Sequence, residues 1–187
     1  MALGSILSQS SHMSLIANWE KELEAIFVRG LESWSAGHRT PETLFSEADQ
    51  FFLGRVGCSP RELFDFVEDC LLYGEPLFPE ILEIQRLRYE YFVTVQGGEN
   101  SGKRATMASL PPKSEAVEGI SWLPRLIVKA RLKLRGEMPD DLMYGCGGDR
   151  PFVRQMKTTL SGFLRLVGDS GEDNRRIVAT VKEGAHR

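Results

Sequence analysis

A glycine-rich turn at residues 144–150, with the sequence YGCGGDR, carries the residue types with the most evident chemistry in this chain. Glycines permit positive φ angles and close backbone approach, and the amides of such a turn can receive an anion when a helix N-terminus follows. We therefore predict Gly145, Gly147, Gly148 and Arg150 as candidate ligands of a small anion.

The same turn contains a candidate nucleophile, Cys146, with Tyr144 and Asp149 as candidates for the other catalytic groups. A nucleophilic thiol needs a nearby base, and no histidine lies close to Cys146 in the sequence. The alternative is a tight turn in which Asp149 caps a helix and Cys146 is a small packed side chain. We favour this structural interpretation.

Residues 97–103, GGENSGK, match the spacing of a phosphate-binding loop: a glycine, four residues, then Gly-Lys. That loop requires Ser or Thr at the next position to bind magnesium, and Arg104 stands there instead. Pro111 and Pro112 follow soon afterwards, where the loop should open a helix. We therefore predict a polar linker at this position and no nucleotide hydrolysis.

The cysteines and histidines do not predict a metal centre. The spacings of 12 and 76 residues between successive cysteines fit neither a disulfide framework nor a zinc-ligand pattern. The histidines lie near the chain ends or in a predicted loop. We therefore expect no metal, no cofactor and a reducing cytoplasm. The residues concerned are Cys58, Cys70, Cys146, His12, His38 and His186.

Composition indicates a globular chain with an uneven distribution of charge. Its 187 residues are 42% hydrophobic and 26% charged, enough for one domain or two small ones, and no apolar run is long enough to cross a membrane. Residues 1–97 hold 7 Lys/Arg against 15 Asp/Glu, a net charge of −8, whereas residues 98–187 hold 16 against 11, a net charge of +5. The opposite net charges of the two halves predict that the halves attract each other or that the basic half binds an anionic partner.

Apolar periodicity predicts four helices in the acidic half. The third has the clearest ends: Ser59 is the N-cap, Pro60 occupies the first turn, Glu62 completes a capping box and Gly74 ends the helix. The others are predicted over residues 14–36, after Ser46 in capping-box relation to Asp49, and from Pro79 to Val95, where Tyr91–Val95 is an alternative strand.

The basic half predicts a helix with Ser121 as its N-cap and Gly136 after its last residue, followed by shorter helices after Asp149, around residues 163–167 and around residues 174–182. Residues 98–118 are rich in glycine, serine and proline, which is typical of a linker. A stretch of that length without structure is unusual inside a compact domain, so we predict two small helical modules. The predicted all-α chain comprises a mobile leader (1–13), an acidic helical module (14–97), the linker (98–118) and a basic helical module (119–187).

Two charged helix faces predict a docking surface. The third helix has a carboxylate stripe opposite its apolar face, and the helix over residues 122–135 has five cations and no acidic residue. We expect the two faces to contact each other within one chain or across a dimer; two separately solvated faces are the alternative. The stripe consists of Glu62, Asp65, Glu68 and Asp69, and the basic face of Arg125, Lys129, Arg131, Lys133 and Arg135.

Three segments carry a family resemblance: GCSPRELFDFVEDCLLYGEP, RYEYFVTVQGG and GISWLPRLIVKARLKLRGEMPDDLMYGCGGDR. They resemble an uncharacterised bacterial family known only as a domain of unknown function, and the likeness covers most of residues 40–183. The resemblance implies a small helical bacterial protein and brings no catalytic residues.

Together these features predict a cytoplasmic, non-catalytic module that binds a protein partner or self-associates and does not enter a membrane. The alternative is an enzyme or small-anion binder with its site at residues 144–150. Nucleic-acid binding through the basic helix is a lesser alternative, because the chain is acidic overall, with a pI near 5.7.

Overall fold

Helices dominate the computed structural model, which describes residues 18–185 and confirms the all-α class. Within that range, the remaining regular structure is a 3₁₀ turn at Met107–Ser109 and a short antiparallel hairpin of β1 (Ala116–Val117) and β2 (Ile120–Ser121). The helices are α1 (Trp19–Ser35), α2 (Pro41–Leu44), α3 (Glu47–Arg55), α4 (Pro60–Tyr73), α5 (Phe78–Thr94), α6 (Leu123–Arg135), α7 (Asp149–Gln155), α8 (Leu160–Ser170) and α9 (Asn174–Ala185).

Helix α4 has the ends that its sequence predicts. The Ser59 side chain accepts a hydrogen bond from the Glu62 amide at 3.1 Å, and the Glu62 carboxylate accepts one from the Ser59 amide at 3.0 Å. Gly74 ends the helix in a left-handed conformation, with φ of 72°. The capping box of Ser46 and Asp49 likewise forms at the start of α3.

Two local predictions need correction. Residues 91–94 continue helix α5, so the alternative strand at Tyr91–Val95 does not form. Ser121 is not the N-cap of α6, because it belongs to β2 and Trp122 takes the cap position in a left-handed conformation, with φ of 72°. The short hairpin therefore turns the chain sharply into α6.

A single hydrophobic core includes residues from both halves of the chain. Helix α5 packs against α6 and α8, and α6 packs against α8, so these three helices surround a shared interior. Ile84 of α5, Leu126 and Ala130 of α6, and Leu164 of α8 are all buried there. The predicted division into two modules is therefore not confirmed.

Residues 98–118 form little regular structure and lie over the helices. The Ala105 amide donates to the Glu137 carbonyl at 3.0 Å, and Arg125 donates to the Pro111 carbonyl at 2.8 Å. Leu110 is buried in the core. The segment is thus anchored at several points, whereas the predicted leader at residues 1–13 lies outside the described residues.

No helix among residues 18–185 combines the length and the apolar composition needed to cross a membrane.

Candidate functional site

Asp149 is the centre of a buried polar cluster beneath the glycine-rich turn. Its Oδ1 accepts a hydrogen bond from Trp122 Nε1 at 3.0 Å, and its Oδ2 accepts one from the Gly145 amide at 2.9 Å and one from Lys129 Nζ. Asp149 is 0% exposed and Lys129 is 1% exposed, so this ion pair is removed from water. Lys129 Nζ also lies 3.2 Å from Cys146 Sγ. We call these five residues the Asp149 cluster.

The hydrogen bonds of the Asp149 cluster hold the turn from inside the protein. The Gly145 amide is bonded to the carboxylate, and the amides of Asp149 and Arg150 are bonded to the Cys146 carbonyl. Asp149 is the first residue of α7, whose cap is Gly148, which corrects the predicted N-cap. Since these amides already have partners, the turn does not offer them to an anion.

Two of the predicted ligand glycines have different surroundings. A Cβ atom on Gly148 would lie 2.5 Å from the Trp122 ring, whereas one on Gly147 would have no neighbour closer than 3.8 Å. Gly148 therefore allows the Trp122 indole to pack against the turn and to reach Asp149. Its lack of a side chain serves packing.

Arg150 connects the turn to helix α4. Its Nη1 donates to Asp69 Oδ2 at 2.6 Å and to the Gly145 carbonyl at 3.0 Å, and its Nε lies 3.2 Å from Glu75 Oε1. The side chain is buried. Since two carboxylates surround this guanidinium, the structure does not present Arg150 as a free anion ligand. Sequence reasoning missed this contact because Asp69 and Arg150 are 81 residues apart.

The catalytic candidates have structural contacts as well. The Tyr144 hydroxyl is buried and donates to the Leu160 carbonyl at 2.7 Å. Burial raises the pKa of Tyr144 well above its ordinary value, with the charges of Asp149 and Glu80 adding to the effect. A phenol held in its protonated form cannot act as a base. Cys146 is half-buried, and its described polar neighbour is Lys129.

The predicted acidic and basic faces meet within the chain at one ion pair, Glu62–Lys133, with 3.1 Å between the charged atoms. However, Arg125, Lys129 and Lys133 are buried, which corrects the prediction that they form an exposed surface. Asp65 is also buried. Helix α6 packs against α5 and α8, so these three cations lie in the interior, whereas Arg131 and Arg135 stay partly exposed.

The other predicted surface residues have mixed environments. Asp65 pairs with Arg61 inside α4 at 2.7 Å. Arg131 and Arg135 contact the loop before α9, through Gly171 and Glu172 respectively. Half-buried Glu68 has no ion pair among the residues that the structure describes. With most of its cations bonded internally, α6 offers little to a nucleic-acid backbone.

An exposed apolar corner lies where α4 joins α5, and we call it the α4–α5 corner. Tyr73 is 67% exposed and Leu77 is 64% exposed, and Leu72 is also exposed beside them. They adjoin a groove of about 380 Å³ that Leu77, Val153 and Leu160 line. Three consecutive apolar residues before Gly74 were a usable signal, because a helix cannot turn all three to one face.

The remaining reactive groups are the cysteine thiols and the acidic side chains. Cys58, Cys70 and Cys146 form no disulfide. Burial raises the pKa of Cys58 to about 12, so its thiol stays protonated. Within residues 18–185, no three His, Cys, Asp or Glu side chains are close enough together to hold a metal ion.

No family model, curated protein or solved structure is significantly similar to this chain. The resemblance to an uncharacterised bacterial family therefore stays a prediction.

Proposed function

We propose that this protein is a non-catalytic binding module that acts as a dimer of two copies joined through the α4–α5 corner. The exposure of Tyr73 and Leu77 beside an apolar groove supports this proposal. Large apolar side chains that lie together on a surface mark sites of association, because burying them against another protein removes them from water.

The shape and charge of the corner favour a second copy as the occupant. Tyr73 and Leu77 are exposed, and Leu77 also lines the groove, so a twofold contact can place the exposed side chains of each copy against the groove of the other. The rim carries both charge signs, since Glu75 and Arg154 lie at its edge 2.8 Å apart. A rim with both signs can complement itself across a twofold axis.

The internal bonding of the glycine-rich turn makes the enzyme alternative less favoured. Catalysis at residues 144–150 would require Cys146, Tyr144 or Asp149 to be available to a substrate, and the last two are buried and already hydrogen-bonded. We also propose a bacterial cytoplasmic location, in accord with the three unpaired cysteines.

Sedimentation equilibrium of Leu77→Lys tests the proposal. Burying a leucine contributes about 2 kcal/mol, and each substitution counts twice in a twofold dimer, so the dissociation constant should rise by about 10³. The matched control is Val95→Lys, because Val95 is 62% exposed and lies outside the corner.

We expect a wild-type dimer, a Leu77→Lys monomer and a Val95→Lys dimer. A wild-type protein that stays monomeric at high micromolar concentration refutes self-association. If wild type and Leu77→Lys dimerise with the same dissociation constant, the α4–α5 corner is not part of the dimer interface.

A further inference from the structure

Arg88 is a fully buried arginine that makes no ion pair among the described residues. Its Nη1 donates to Gln96 Oε1 at 2.6 Å and to the Leu134 carbonyl at 2.9 Å, whereas its Nε and Nη2 have no hydrogen-bond partner. Buried charges are normally paired, because leaving water costs far more than two neutral hydrogen bonds restore. Burial accordingly lowers the pKa of Arg88, and the charge of Glu62 opposes that shift.

The guanidinium of Arg88 lies against two glycines that line a cavity of about 350 Å³. A Cβ atom on Gly57 would lie 3.3 Å from Arg88 Cζ, and one on Gly136 would lie 3.1 Å from it. Both glycines have positive φ angles, of 70° and 67°. Residues without side chains thus separate the buried charge from the cavity, which we call the Arg88 cavity.

The segment that resembles a phosphate-binding loop forms another wall of the Arg88 cavity. Asn100, Gly102 and Lys103 line it, together with Arg104. This segment does not fit a site for nucleotide hydrolysis, because it lacks a magnesium ligand and a following helix. Those objections do not apply to binding a phosphate without metal or catalysis.

The charges around the Arg88 cavity leave a positive excess. Glu62 also lines it, but its carboxylate is bonded to Lys133. Arg104 is paired with Asp140. Arg88 and exposed Lys103 remain, and neither forms an ion pair within residues 18–185. The charge of Glu137 also acts on Arg88 and offsets part of this excess, and the remaining positive charge favours an anionic group such as a phosphate monoester.

We propose that the Arg88 cavity binds a small molecule that carries a phosphate group, with Lys103 contacting the phosphate and Arg88 supplying positive charge from behind Gly57 and Gly136. The volume exceeds that of a single ion and falls in the range of small-molecule sites, about 300 to 1,000 Å³. This site is separate from the α4–α5 corner and does not depend on self-association.

Isothermal titration calorimetry with phenyl phosphate and with inorganic phosphate, at constant ionic strength set with chloride, tests the site. Lys103→Gln should weaken phenyl phosphate binding about 10-fold or more, because a charge-assisted hydrogen bond is lost. Lys113→Gln is the matched control: it removes the same charge from the same segment, outside the cavity, and should leave binding unchanged. Tighter binding of inorganic phosphate than of phenyl phosphate would overturn the small-molecule part of the proposal.

Arg88→Met provides a second measurement that separates ligand binding from a structural role. Because the arginine lacks a counter-ion, the variant should unfold at a similar urea concentration to the wild type without ligand, and it should lose the stabilisation that phenyl phosphate gives. If Arg88 has only a structural role, the variant should be much less stable than the wild type without ligand. Phenyl phosphate should then stabilise the variant as much as it stabilises the wild type. If Arg88→Met does not fold, the structural role is favoured and Lys103→Gln decides the site. Millimolar phenyl phosphate that binds neither wild type nor variant overturns the proposal.

Discussion

Replacing Lys129 by methionine should destabilise the protein severely. The substitution keeps the length and apolar stem of the side chain but removes the ammonium that lies against Asp149 Oδ2. The carboxylate, which is 0% exposed, then keeps only the N–H donors of Trp122 and Gly145. Breaking a buried ion pair by removing one partner costs about 3 to 5 kcal/mol, because an uncompensated charge stays in the interior.

Urea unfolding followed by circular dichroism measures this cost. With a slope of about 2 kcal/mol per M for a domain of this size, the midpoint should fall by about 2 M. Total stabilities of about 5 to 15 kcal/mol leave Lys129→Met folded but strongly weakened. The matched control is Lys21→Met, because Lys21 is an exposed lysine on α1 and its replacement should change stability by less than about 0.5 kcal/mol.

A double variant separates charge from packing in the same cluster. Lys129→Met with Asp149→Asn removes both charges. The single amide oxygen of asparagine can accept from only one of the Trp122 and Gly145 donors, but losing the other hydrogen bond costs less than leaving an uncompensated charge in the interior. The double variant should therefore be more stable than Lys129→Met alone by at least about 1 kcal/mol. The reasoning is refuted if Lys129→Met costs no more than Lys21→Met.

Two further predictions concern a titrating carboxyl and a close backbone contact. Burial raises the pKa of Asp65 to about 7. The free energy of unfolding should therefore fall as pH rises from about 4 to about 7, because the folded state holds this proton more tightly than the unfolded state. The free energy of unfolding of Asp65→Asn, relative to that of the wild type, should therefore rise by about 2 kcal/mol between pH 5 and pH 8 in urea unfolding. A difference in this free energy that stays constant with pH contradicts the prediction. Gly148→Ala should lower the free energy of unfolding by about 2 kcal/mol, because its Cβ would displace the Trp122 ring, whereas Gly147→Ala should change it by less than about 1 kcal/mol; equal thermal stability of the two variants contradicts the proposed packing role.

Features of the fold that depend on neighbouring residues could be predicted from the sequence. The ends of α4 follow from Ser59, Pro60, Glu62 and Gly74, whose interactions lie within a few residues of each helix end. The all-α class follows from apolar spacing. Trp122 was not predicted as a cap, because a left-handed conformation at a non-glycine residue is imposed by the hairpin before it and the contacts around it.

The environment of the charged residues could not be predicted in the same way. A helical projection placed Lys129 and Lys133 outside the apolar face of α6, but their partners Asp149 and Glu62 are 20 and 71 residues away. Only the folded chain brings these carboxylates to the helix. For the same reason, the position of Arg88 beside a cavity and without a bonded carboxylate could not be predicted from the sequence.

The arrangement of α5, α6 and α8 around one interior determines when the chain can fold during its synthesis. Helix α5 is complete at residue 94, but α8, which covers part of its apolar face, ends at residue 170. Until that residue has been added, Ile84 and Leu87 lack the neighbours that bury them in the finished protein. The nascent chain therefore carries an uncovered apolar surface from the completion of α5 until the completion of α8, and it is exposed to misassembly during that interval.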